Sequence, residues 1–72
     1  MNYNYNPAIN HVLQYFEYEH LPPHLKEMSR KFCLLADEVA AAAPQSRETT
    51  IALRKLLEAK DAAVRALLPQ SS

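Results

Sequence analysis

The apolar residues Ile9, Val12, Leu13 and Phe16 recur at the spacing of one helical face. Asn6 before them is a good N-cap, and Pro7 suits a first helical position. The pattern predicts a first helix over roughly 7–19. His20-Leu21-Pro22-Pro23 then breaks it, because Pro22 disfavours helical geometry at Leu21 while Pro23 can open the next helix. Beyond the break, Leu25, Met28, Phe32, Leu35, Val39 and Ala42 follow at alternating steps of three and four, a coiled-coil-like seam. Cys33, Leu34, Ala36 and Ala40 widen that seam. A stripe this wide on a short helix predicts burial on two sides, one within the chain and one across a subunit interface.

Pro44-Gln45-Ser46 is the second break. Ser46 can cap a third helix, and Glu48 in its first turn suits the helix dipole. Thr50, Leu53, Leu57, Lys60, Val64 and Leu67 form another three-four seam that runs to about 68, with Pro69 ending the helix. Ala52, Leu56, Ala59, Ala63 and Ala66 flank it. The short connection between two long helices makes them antiparallel neighbours. The expected fold is therefore all-α: a short N-terminal helix plus an antiparallel two-helix hairpin, in one domain spanning 1–72. Residues 1–6 form an N-terminal arm and residues 69–72 a C-terminal tail.

Length sharpens this picture. A 72-residue chain buries only ~60% of the surface its unfolded form exposes, and such chains usually need a further staple. The single cysteine cannot form an internal disulfide, and no Cys/His cluster has metal-site spacing. Self-association is the remaining staple, and a symmetric homo-oligomer is expected. Glycine is absent, which excludes Gly-built phosphate loops of the Rossmann and P-loop types. The formal net charge is zero, which argues against non-specific DNA binding. No apolar run approaches 18 residues and no basic leader opens the chain, so no membrane association and a soluble, intracellular protein are expected.

Four groups carry candidate chemistry. Lys26 and Arg30 share one face at the start of the second helix, with Lys31 and His24 nearby. Cations there run against ordinary dipole-based placement, so the group reads as an anion site or as a solvated face in which Glu27 pairs locally. His11, Tyr15 and Tyr18 share a face of the first helix, which reads as a stacking platform for a nucleotide base or as a tyrosine-lined subunit interface. Lys60 is a charge in the middle of a seam, where it sets register, snorkels, or faces a polar cavity. Arg54–Glu58 and Asp61–Arg65 are opposite-charge pairs four residues apart, expected as a salt-bridge face. Cys33 reads as packing. No nucleophile–base arrangement is present, so no catalytic residue, no metal and no cofactor is assigned.

The stretch from Phe16-Glu17-Tyr18-Glu19-His20-Leu21-Pro22-Pro23, through Pro44-Gln45-Ser46-Arg47-Glu48, to Leu57-Glu58-Ala59-Lys60-Asp61-Ala62-Ala63-Val64-Arg65-Ala66 resembles the small phage helical-hairpin proteins that act as anti-CBASS cyclic-nucleotide sponges, a group related to the Thoeris anti-defence sponges. The resemblance covers residues 9–68. It implies a compact hexamer in the host bacterial cytoplasm that binds cyclic dinucleotides such as cyclic GMP-AMP, cyclic trinucleotides or cyclic ADP-ribose isomers without cleaving them. The host effector is thereby starved of its signal. By its place after the Pro-Pro turn, Lys26 matches the family's phosphate-binding lysine, with Arg30 beside it. The stacking position falls on His11 or Tyr15, and a histidine there would depart from the family's aromatic pattern. Asn10 and Arg65 are the candidates for a threefold trinucleotide pocket. The competing expectation, from the residues alone, is a helical-hairpin protein–protein interaction module with no nucleotide ligand.

Overall fold

The computed structural model describes residues 5–68. Within them the protein is all-helical: α1 (Pro7–Leu13) runs into a 3-10 turn (Gln14–Phe16), followed by α2 (Pro23–Ala42) and α3 (Arg47–Ala66). The four-residue connection at 43–46 folds α3 back on α2 as a hairpin, and α1 lies against both. The body measures 40 × 23 × 17 Å. Among the described residues no backbone has a positive φ, so a chain without glycine makes its two connections between helices, 17–22 and 43–46, using only caps and prolines.

Each boundary has a local cause. The Asn6 side chain accepts from the Ile9 N–H at 2.9 Å, with Pro7 at the first helical position. Pro22 is the N-cap of α2, and its carbonyl accepts from the N–H groups of Leu25 and Lys26. Ala43 is extended because Pro44 follows it. Ser46 caps α3 by accepting from Thr49 N–H at 3.3 Å, and the Thr49 hydroxyl donates to the Pro44 carbonyl. The expected ends of the hairpin helices agree with the structure to within about two residues; Pro69 and the tail lie outside the described residues.

The first helix departs from its expected extent. It stops at Leu13, tightens over Gln14–Phe16, and Glu17 is already extended. The Tyr15 carbonyl, which a longer helix would use internally, instead accepts from Lys60 Nζ at 2.7 Å. Tyr5, from the arm, packs on the core of its own chain, while residues 1–4 lie outside the described part.

The core divides its labour unevenly. Ile9, Leu13 and Phe16 from the N-terminal segment and Leu53 from α3 are its largest fully buried apolar side chains. Each contributes about 1.5–3 kcal/mol by burial. The buried face of α2 is made of Leu25, Ser29, Cys33, Ala36 and Ala40. This corrects the expected seam: Leu35 and Ala42 are exposed, and Met28, Phe32 and Val39 only flank the interface. Small side chains face inward because they let α2 approach closely and leave a trough that the bulky residues of α1 fill. On α3, Leu53 and Thr49 are buried, Thr50, Leu57, Lys60 and Val64 are half-buried, and Leu67 is exposed. The outward side of α2 carries Leu34 and Leu35 at 46% and 45% exposure, the second apolar face that the width of the stripe anticipates.

Candidate ligand cleft

The sequence of the N-terminal segment sets one wall of a cleft and the C-terminal half of α3 sets the other. Because the first helix ends early, Tyr15 lies in the middle of the 3-10 turn and is 53% exposed. Opposite it, Lys60 and the adjacent Val64 and Arg65 come from two consecutive turns of α3. Together with Gln14, Glu17, His20, Leu21, Ser29 and Asp61 they line a cleft of about 390 Å3.

Lys60 organises this cleft. Its side chain is only 12% exposed. Its Nζ donates to the Tyr15 carbonyl, lies 3.4 Å from Asp61 Oδ1, and sits 5.9 Å from the centroid of the Phe16 ring. The alkyl stem is buried along the seam while the ammonium reaches polar partners at the cleft edge, the snorkelling arrangement. Of the alternatives open for this residue, the structure combines a snorkel with a place on a polar cavity.

Ser29 adds a polar group at the back. It is fully buried, and its Oγ has no hydrogen-bond partner. An unpaired buried hydroxyl costs about 1–3 kcal/mol, so its place at a cleft is a ligand-facing signal as well as a packing one. Sequence reasoning passed over Ser29; the available signal was its step of four from both Leu25 and Cys33.

The expected site residues separate into groups. His11 and Tyr15 meet edge-to-face, with centroids 5.5 Å apart, and Gln14 Nε2 lies 3.1 Å from His11 Nδ1. Tyr15 and Arg65 share the cleft. Lys26 pairs with Glu19 at 3.1 Å, and Arg30 with Glu27 at 3.3 Å; neither cation lines the cleft. The local pairing foreseen for Glu27 is thus present. Asn10 is engaged with the arm, its Nδ2 donating to the Tyr5 carbonyl at 2.8 Å and its Oδ1 accepting from the Tyr5 N–H. Asn10 is not among the residues that line the cleft with Arg65. The ion pair found for Glu58 is with Lys55 at 3.8 Å, a correction to the expected pairing with Arg54.

On the other side of the 3-10 turn, Cys33 is buried beside Asp37 and Glu17. Burial pushes its thiol up to about 11, the two carboxylates add to the rise, and Lys60 opposes it. Burial, then Glu17, also raises the Asp37 carboxyl above its usual value. A thiol held protonated is inert, in line with a packing role. Among the described residues no group of three or more metal-ligating side chains is gathered, and no helix is long and apolar enough to cross a membrane. Comparison with protein families, with curated proteins and with solved structures finds no match for this chain.

Proposed function

We propose that this chain binds and sequesters cyclic oligonucleotide second messengers without cleaving them, acting as a phage anti-defence sponge against CBASS immunity in the host cytoplasm. The observation that carries the reading is the cleft itself: an exposed Tyr15 ring beside Lys60 and Arg65, with a buried hydroxyl behind them. A π-face next to cations is what a base and its phosphate require. In this reading Arg65 and Asn10, from different copies, hold a cyclic trinucleotide. Lys26 and Arg30, with His11 or Tyr15 stacking, hold a cyclic dinucleotide. The Lys26–Glu19 pair is exposed enough to be worth only about 0–1 kcal/mol, so a phosphate can take the place of Glu19. The exposed Leu34 and Leu35, with Ile51, Leu67 and Leu68 also well exposed, support assembly into a homohexamer. No catalytic residue and no cofactor enters the reading, and cyclic ADP-ribose isomers belong to the same ligand class.

The test is calorimetric titration with cyclic GMP-AMP, cyclic tri-AMP and a cyclic ADP-ribose isomer on protein of known mass in solution. The expected result is saturable binding of about one dinucleotide per two subunits, with intact nucleotide recovered after denaturation. Lys26→Ala should remove dinucleotide binding and Arg65→Ala trinucleotide binding. Recovery of hydrolysed product, or no binding of any of the three ligand types by a folded oligomer, overturns the reading. A second reading, a hairpin that docks another protein, is favoured by the same exposed leucines on α2. It expects Lys26→Ala to leave function intact.

A further inference from the structure

A second cleft lies at the opposite end of α3, between the starts of α1 and α3. It has a volume of about 430 Å3, an apolar floor of Ala8 and Ile51, and Arg47 and Arg54 on its walls. The two arginines are seven residues apart, so they share one side of α3 and sit about 10 Å apart along its axis. No acid is among the residues that line the cleft.

The pairing of charges makes this cleft stand out. Lys26, Arg30, Lys55 and Lys60 each have a carboxylate within 4 Å. Among the described residues Arg47, Arg54 and Lys31 have no such partner; Lys31 stands alone on α2, whereas Arg47 and Arg54 share one cleft. Glu58, one turn beyond Arg54, is paired with Lys55. Arg47 also occupies the first position of α3, where a cation opposes the positive end of the helix dipole. Stability alone does not favour a guanidinium there. Gln45, whose carbonyl oxygen accepts from the Asn6 N–H, keeps its amide group as a further donor on the same cleft.

We propose that this cleft is an anion site for a small molecule bearing two phosphate groups, one taken by each guanidinium. Guanidinium forks match phosphate oxygens in a two-pronged geometry. The spacing of the arginines asks for anionic groups separated along the helix, and the floor of Ala8 and Ile51 seats the less polar part between them. The site shares no lining residue with the Tyr15–Arg65 cleft, which begins at Lys60, six residues beyond Arg54 and about 9 Å further along α3.

The probe is inorganic tripolyphosphate, titrated into the full-length protein at constant ionic strength and followed by amide and arginine side-chain NMR. Saturable shifts at Arg47, Thr50 and Arg54 are expected. Arg47→Gln and Arg54→Gln should each weaken binding about tenfold or more, while Lys31→Gln, an exposed cation on α2 away from the cleft, should change it less than twofold. Thermal unfolding of the variants should match the parent, because both arginines are exposed. Shifts that never saturate, that centre on Tyr15 and Arg65, or that weaken equally in Lys31→Gln overturn the proposal.

Discussion

Replacing Lys60 tests the junction on which both the early end of the first helix and the cleft depend. Its Nζ makes a 2.7 Å charged hydrogen bond to the Tyr15 carbonyl, a kind worth about 1.5–3 kcal/mol. The Phe16 ring 5.9 Å away adds about 0.5–1 kcal/mol. The Asp61 pair, with Asp61 half exposed, adds little. Against these, the Tyr15 carbonyl can accept a water once Lys60 is gone, because Tyr15 is on the surface. Lys60→Met keeps most of the buried stem and should cost about 1–2 kcal/mol. Lys60→Ala removes the stem too and should cost about 2–3 kcal/mol. For a domain of this size each kcal/mol corresponds to roughly 4–8 °C in Tm. The assay is urea unfolding followed by helical circular dichroism at fixed protein concentration, since self-association would shift the apparent stability. A loss under about 0.5 kcal/mol for both variants would refute the role given to this bond. Equal losses for Met and Ala would show that the stem contributes nothing.

Other changes follow from the same geometry. Ser29→Ala should raise stability by about 1 kcal/mol in the absence of ligand, by removing an unpaired buried hydroxyl; a loss in the same urea assay would mean the hydroxyl has a partner inside the fold. Ser46→Ala removes the cap of α3 and should cost about 1 kcal/mol, whereas an unchanged midpoint would place the helix start elsewhere. The Cys33 thiol, raised from 9.0 to about 11, should react with iodoacetamide at pH 8 roughly a hundredfold more slowly than a free thiol of ordinary acidity. Its proton is held more tightly in the fold than in the unfolded chain, so stability should fall as pH rises from about 9 to 11. Cys33→Ala should flatten that part of the profile, and an identical slope in parent and variant would contradict the shift.

Helix number, order and most boundaries were legible because they rest on local chemistry: Asn6 and Ser46 as caps, Pro7 and Pro23 as first residues, Pro44 as a stop. The early end of the first helix was not, since the partner of its freed Tyr15 carbonyl is Lys60, 45 residues away in the chain. The inward face of α2 was misplaced by a step because apolar periodicity weighs Phe32 and Leu35 above Cys33 and Ala36. Packing of two backbones prefers the smaller pair when a third segment brings the bulk. Tyr15 and Arg65 were both identifiable as candidates, but their shared cleft depends on how the N-terminal segment crosses α3. Arg54 was assigned to Glu58 by spacing alone, and Lys55 competes for the same carboxylate from the opposite direction along the helix.

The N-terminal segment is fastened near both of its ends, through Asn6 to Gln45 in the connection before α3 at one end and through Tyr15 to Lys60 on α3 at the other. It also carries Ile9, Leu13 and Phe16, while the inner face of α2 offers mainly small side chains. The hairpin is thus a mould without its filling. Releasing the segment would expose most of the large apolar surface at once, so the molecule has little to gain from a half-open state. Its amides should exchange with solvent hydrogen only through opening of the whole chain, and folding should end with the docking of a piece that was synthesised first.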